Sequence, residues 1–238
     1  MRVIWHDLEC GSYTADLALW EELSDEVSGP ILDLGCGSGR VGLHLARYGH
    51  AVHGLDLDSD LVAAFNERAL AAGLKAKATT GDAREFDLGE EFELAIAPMQ
   101  LIQLLSGSAE RVACLRCAGR HLRPGRTLAV AIVDQVQASP SGSLPLLPDA
   151  RELDGWVYSS LPLEVVLDRG AIVVRRLRQK VSPAGDLSEE VDEVRLRSLT
   201  VDMLEAEAIE AGVRPRGRHE VTATDDHIGS TVVLLEAP

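Results

Sequence analysis

The chain has 238 residues, of which 46% are hydrophobic and 26% charged, a composition that suits one or two globular domains and excludes a disordered or fibrous chain. Asp and Glu number 38 against 23 Lys and Arg, so at a formal charge of −15 most of the surface repels a phosphate backbone, and nucleic acid is not an expected partner. No apolar run approaches the ~20 residues of a membrane span and the opening MRVIWHDLECG lacks the apolar stretch of a secretory signal, so the expected setting is cytoplasmic, with no membrane partner.

In chain order, Leu17, Leu19, Trp20, Leu23 and Val27 recur at helical spacing until Ser28-Gly29-Pro30 ends the pattern. A short apolar run over 31–34 predicts a strand that leads into Gly35-Cys36-Gly37-Ser38-Gly39, after which Val41, Leu43, Leu45 and Ala46 resume a helix as far as Tyr48-Gly49. Strands are expected over 51–57, 75–80 and 92–97, with a helix over 61–72 that Gly73 stops. A helix over 111–122, a turn at Pro124-Gly125 and a strand over 127–133 continue the alternation. This rhythm predicts a parallel sheet with helices on both faces.

Past Asp134 the rhythm breaks at QASPSGSLPLLP, whose prolines and small polar residues predict a loop. Runs over 164–167, 171–181 and 189–199 are rich in β-branched residues and lack a helical period, which predicts an antiparallel hairpin or three-stranded flap. Its second strand is basic (Arg175, Arg176, Arg178, Lys180) and its third opens acidic (Glu189, Glu190, Asp192, Glu193), so opposite charges are expected to face each other across the ladder rather than to form a phosphate site. A helix over 201–211 and a strand pair over 218–224 and 230–235, joined by Asp225-Asp226-His227-Ile228-Gly229, end the pattern. All four cysteines are expected as reduced thiols; Cys114 and Cys117 lie three apart on a helix, but Cys10 and Cys36 supply no second pair for zinc, so these two read as small apolar side chains and no metal is expected.

Glycines between a parallel strand and a helix let the backbone turn sharply and expose unpaired N–H groups, which suits a nucleotide-like ligand. Gly37-x-Gly39-x-x-Gly42 also satisfies the dinucleotide fingerprint, and Asp56, at the end of the second strand, suits the ribose of either ligand. Asp33 separates the two readings, because a carboxylate two residues before the first glycine repels a pyrophosphate and attracts an ammonium group. Asp82, in a Gly-Asp-Ala turn after the third strand, is placed to accept an exocyclic amino group.

The segments ILDLGCGSGR, HGLDLD, TTGDAREFDL, FELAIAPMQLIQLL and HLRPGRTLAVAI resemble, in order and spacing, the successive motifs of class I S-adenosylmethionine-dependent methyltransferases over residues 12–134, and YTADLALWEEL resembles the lid helix of small-molecule members. The resemblance implies an α/β fold, a doubly wound seven-stranded mostly parallel sheet of order 3-2-1-4-5-7-6 whose last strand is antiparallel. It extends to an antiparallel β insertion over 140–199, which small-molecule members place over the substrate or use in homodimer contacts, within a single domain over 1–238. Carried over by position, Asp33 would hold the methionine ammonium through water or the loop, and Gly35, Gly37 and Gly39 would line the methionine and ribose. Asp56 would bind the ribose hydroxyls, Leu57 would pack on the adenine and Asp82 and Ala83 would read its edge, while Pro98, Met99 and Gln100 would lie under the methionine and Tyr13 would cap its carboxylate. Each has a structural alternative: a strand-end carboxylate for Asp33, an Asx turn for Asp82, core packing for Leu57 and Met99, a hydrophobic staple for Tyr13.

The implied cofactor is S-adenosyl-L-methionine, leaving as S-adenosyl-L-homocysteine, and the implied acceptor is a small-molecule amine or hydroxyl. A hydroxyl benefits from a general base. Asp134, Asp226 and His227, with Asp225, are the candidates at the cofactor edge, although an Asp- and Gly-rich turn also reads as a solvated hairpin. His6 joins them if the N-terminal segment folds over the cleft; His121 belongs to the opposite edge, and His44, His50 and His53 to the surface. Trp156 and Tyr158 either contact the acceptor or pack the flap onto the domain. The rival readings are an NAD-dependent oxidoreductase and a cofactor-binding module without turnover.

Overall fold

A computed structural model describes residues 2–134, 147–224 and 228–238. In chain order the elements are α1 Arg2–Cys10, α2 Leu17–Asp25, β1 Ile31–Leu34, α3 Gly42–Arg47, β2 Val52–Asp56, α4 Ser59–Ala71, β3 Ala76–Thr80, β4 Phe92–Ala97, α5 Leu101–Leu104, α6 Ser108–Arg120, β5 Leu122–Ile132, β6 Asp149–Leu153, β7 Trp156–Asp168, β8 Ala171–Val181, β9 Leu187–Arg197, α7 Val201–Ala211, β10 Arg214–Val221 and β11 Ser230–Glu236.

β1 and β4 are buried at every position, as strands covered on both faces must be, and they form the centre of a seven-stranded sheet of order β3-β2-β1-β4-β5-β11-β10. β2, β1, β4 and β5 pair in parallel, as do β2 and β3, and β11 is antiparallel to both of its neighbours. Counted within the sheet, this is the expected order 3-2-1-4-5-7-6. Side-chain alternation splits the core in two. Leu94 and Ile96 of β4 join Trp20 and Leu23 of α2 and Leu45 of α3, while Ala95 and Ala97 join Leu115 of α6 and Leu204 of α7 on the other face. Each fully buried Leu or Ile contributes roughly 1.5–3 kcal/mol of transfer free energy.

The chain proceeds from β1 outward to β3 and then crosses to β4 on the other side of β1, so the connections leaving β1 and β4 diverge. A crevice at such a reversal, at the carboxyl ends of the strands, is where open α/β sheets take ligands.

Four differences from the sequence reading have physical causes. A helix, α1, precedes the first expected one; it buries Ile4, Trp5 and Leu8, a pattern only one turn long. The insertion is a four-stranded antiparallel sheet, β6-β7-β8-β9, rather than two or three strands, since β6 is polar and exposed and β7 carries Ser159, Ser160 and Pro162, the last beside a register shift. Pro124-Gly125 lies within β5, whose pairing with β4 shifts register there. His53 is buried, not on the surface, and its ring nitrogens meet Glu90 and Thr79. The expected charge pairing of the flap is present: Arg175 lies opposite Glu193 at 2.8 Å, and Arg178 bonds Asp192 at 2.7 Å. Among the described residues no helix is long and apolar enough to cross a membrane, and no cluster has the makings of a metal site.

Candidate functional site

The loop between β1 and α3 turns on glycines in the left-handed region, Gly37 among them at φ 54°. Asp56, the last residue of β2, fixes this loop: its Oδ2 accepts the Gly37 N–H at 2.8 Å and its Oδ1 accepts the Asp58 N–H at 2.9 Å. A carboxylate has about four acceptor positions, so two remain for a ligand's hydroxyls. Leu57 follows with 72% of its surface exposed.

Asp33 lies beneath the loop, inside β1, and is fully buried. Neither carboxylate oxygen has a hydrogen-bond partner, although the Gly42 N–H lends partial stabilisation without reaching full hydrogen-bond geometry. Burial pushes its pKa up to about 7, against the pull of Arg40. Leaving a buried acid unpaired costs free energy, so the position carries a strain that a nearby cation relieves.

Arg40, directly after the loop, spans Asp16 in a bidentate pair at 2.6 and 2.7 Å and donates to the Tyr13 carbonyl at 2.9 Å. Its guanidinium stacks 5.1 Å from the centre of the Tyr13 ring, and the Trp20 indole N–H completes Asp16 at 2.8 Å. Tyr13 is thereby buried beside the loop.

On the β4 side of the crevice, Pro98 is followed by Met99 and Gln100 at φ 50° and 60°. Two consecutive side-chain-bearing residues in the left-handed region store strain of order 1–3 kcal/mol each, and such strain concentrates at functional sites. Beyond β3, the Asp82 side chain accepts its own Arg84 N–H at 2.9 Å in an Asx turn and forms an ion pair with the Arg84 guanidinium, which also reaches Glu110; Ala83, beside it, packs against the core. Asp134, at the end of β5, accepts the Val201 N–H at 3.3 Å, at the start of α7. Asp226 and His227, with Asp225, lie outside the described residues. His121 stacks on Phe86, 4.3 Å between ring centres, away from the crevice.

Sequence reasoning missed most of what α1 contributes. Ser38 Oγ donates to Asp7 at 2.6 Å, and Arg68 of α4 holds Asp7 at 2.5 and 2.9 Å while donating to the Ser38 carbonyl at 3.0 Å. His6 Nδ1 lies 3.0 Å from Ser38 Oγ, and its ring occupies the space a Cβ on Gly37 would need. On the next turn, Glu9 receives Arg178 of β8 in a bidentate pair at 2.7 Å and Ser160 of β7 at 2.8 Å. Tyr158 meets Trp5 edge-on at 5.5 Å, so it packs the flap onto α1; Trp156 lies under Lys180. The only sequence signal for these contacts is Ile4, Trp5 and Leu8 on one helical stripe, which places Asp7 and Glu9 on its flanks and His6 opposite it.

The Methyltransferase domain family matches residues 31–125. Over 116 residues the chain is 33% identical to a dTDP-3-amino-3,6-dideoxy-alpha-D-glucopyranose N,N-dimethyltransferase of Streptomyces fradiae, covering 49% of this chain and 44% of that protein. Over 129 residues it is 26% identical to a cypemycin N-terminal methyltransferase of a Streptomyces species, covering 54% and 52%. The matched segments thus span about half the length of these relatives. Among solved structures, the amino pentose methyltransferase of calicheamicin biosynthesis from Micromonospora echinaspora, with S-adenosylmethionine bound, superposes with a TM-score of 0.71 at 20% identity over 97% of this chain and 96% of that one. Strand order, glycine loop and insertion agree with these matches, and the chain has the class I S-adenosylmethionine-dependent methyltransferase fold.

Proposed function

We propose that the chain is an S-adenosylmethionine-dependent methyltransferase whose acceptor is a small molecule presenting an amine. The observation that carries the reading is Asp33, an unpaired buried carboxylate beneath the glycine loop. It favours a cationic sulfonium nucleoside and disfavours the diphosphate of a nicotinamide cofactor. The residues present fit the group: Asp56 keeps acceptor positions for ribose hydroxyls, the exposed Leu57 offers an apolar surface to a base, and the strained backbone at Met99 and Gln100 borders the methionine end. In this reading Gly35, Gly37 and Gly39 line the cofactor, Pro98 continues the β4 wall, and Tyr13, immobilised by Arg40, closes the carboxylate side. Asp82 and Ala83 serve the adenine edge once Arg84 shares the Asp82 carboxylate.

When bound, the cofactor supplies an activated methyl group for in-line displacement, so the protein's task is alignment and exclusion of water. A neutral amine needs no base to attack, whereas a hydroxyl does. Asp134 is already engaged by the Val201 N–H at the start of α7, and this favours the amine, as do the names of the two sequence relatives. The insertion covers α1 on one face and leaves Val157, Leu187 and Val191 exposed, and we assign that apolar patch to a homodimer contact.

The test is calorimetry with S-adenosylhomocysteine and NADH, followed by methyl transfer to a panel of amino sugars, peptides and phenols. The expected result is binding of the former alone and transfer to amines. Asp56→Ala is expected to weaken cofactor binding by about 2–4 kcal/mol, as for two lost hydrogen bonds to a charged group. Tight NADH binding without S-adenosylhomocysteine binding overturns the proposal, and cofactor binding with no transfer to any acceptor assigns the chain to the non-catalytic class.

A further inference from the structure

The hydrogen bonds around α1 fix the tautomer of one histidine beside the glycine loop. Asp7 is ionised: burial pushes its pKa up, but the Arg68 guanidinium and the Ser38 hydroxyl outweigh this and hold it below the usual carboxylate range. An ionised carboxylate only accepts, so the 2.6 Å contact with Ser38 requires the serine hydroxyl to donate its proton to Asp7. Ser38 Oγ is then an acceptor toward His6, and the 3.0 Å contact must be an Nδ1–H donating to it. His6 Nε2 is left with a bare lone pair. That atom would stand 2.3 Å from a Cβ on Gly37, so it lies against the very residue whose N–H is held by Asp56. No partner of Nε2 is found among the described residues.

We infer that His6 is a cofactor-binding residue whose Nε2 accepts a hydrogen bond from a ribose hydroxyl, sharing the ribose with Asp56. This rests on the methyltransferase reading and extends it, because a residue of the N-terminal helix then completes the nucleoside site. The relay from Arg68 through Asp7 and Ser38 orients the ring, as second partners orient histidines elsewhere. Four charged groups act on the ring: Asp7 on its own helix, Asp56 at the end of β2, Arg68 on α4 and Arg40 after the loop. Burial outweighs the two carboxylates and holds the His6 pKa below the usual histidine value, so the lone pair is free at neutral pH. Protonation in more acidic solution turns Nε2 into a donor and removes the acceptor.

The experiment is isothermal titration of S-adenosylhomocysteine and its 2′-deoxy and 3′-deoxy analogues into the wild-type chain, His6→Ala and His6→Gln, between pH 5 and 8. His6→Ala is expected to bind S-adenosylhomocysteine about tenfold more weakly at pH 7.5, the worth of about one hydrogen bond. It should also lose much of the penalty the wild type pays for one of the deoxy analogues. His6→Gln, whose amide oxygen reaches about as far as Nε2, should recover most of the affinity and lack the wild-type fall in affinity on acidification that His6 causes. Equal or tighter binding by His6→Ala, with the deoxy penalties unchanged, overturns the inference alone. Absence of binding by the wild-type chain overturns the methyltransferase reading on which it stands.

Discussion

Asp33 ties function to stability at the level of a single side chain. Its folded pKa of about 7 lies above the ordinary 3.8, because burial penalises the anion. Between those values the folded chain holds a proton that the unfolded chain has released, so this group's contribution is fully present below the ordinary value, is lost as pH rises toward 7 and is absent above it. Three pKa units correspond to roughly 4 kcal/mol as an upper limit. Asp33→Asn removes that slope. Thermal melts of the unliganded protein are expected to show the Asn variant gaining on wild type at pH 8 and losing more than half of that gain at pH 5; parallel pH profiles for the two contradict the assignment. A cation bound above the loop lowers the Asp33 pKa again, which makes the unpaired acid a feature of the resting state that binding relieves.

At the level of elements, α6 and α7 are joined by a buried ion pair, Arg111 Nε and Nη2 to Glu207 at 2.8 and 2.5 Å. Removing one partner leaves a buried charge, so Glu207→Ala is expected to cost about 3–5 kcal/mol in urea unfolding, and Arg111→Met with Glu207→Leu much less. A cost under about 1 kcal/mol for the single change contradicts that account. Neither residue stands out in the sequence, since 96 positions separate them. Local signals fared better. α7 runs over 201–211 as expected because Thr200 caps its start, with its hydroxyl accepting the Met203 N–H, and Gly212 turns left-handed at its end. α6 begins earlier than expected because its first turn, Ser108 to Glu110, carries no apolar period. The glycine loop, Asp33 and Asp56 were legible because strand, turn and acid lie within one short stretch. The α1 contacts were not, because Asp7 meets Arg68 and Glu9 meets Arg178 across 61 and 169 positions. Separations of 30 and 94 positions likewise hid Gln103, fully buried, which binds both backbone groups of Val133 and the carbonyl of Arg197, and so ties α5 to the ends of β5 and β9.

At the level of the whole molecule, two sheets share one helix. The seven-stranded sheet carries the glycine loop, the four-stranded sheet grips α1, and α1 lays His6 on the loop. The outer face of the smaller sheet sets the rows Val157, Val181, Leu187 and Leu161, Leu177, Val191 side by side in register. If those rows meet in a homodimer, Val191→Glu is expected to shift the sedimentation profile from dimer to monomer while leaving cofactor affinity within about twofold. A wild-type monomer at high concentration removes the dimer from the account.

The bond between Glu9 and Arg178 also orders events in time. α1 leaves the ribosome long before β8, so one of its two anchors exists only after about 169 more residues have been added, roughly ten to thirty seconds later at usual elongation rates. From the addition of Arg68 until that of Arg178, the glycine turn is already synthesised while its cover is held at one end only. Conversely, a proteolytic cut within β8 frees one anchor of a helix far upstream of the cut, so the crevice loosens first at its roof and not at its floor.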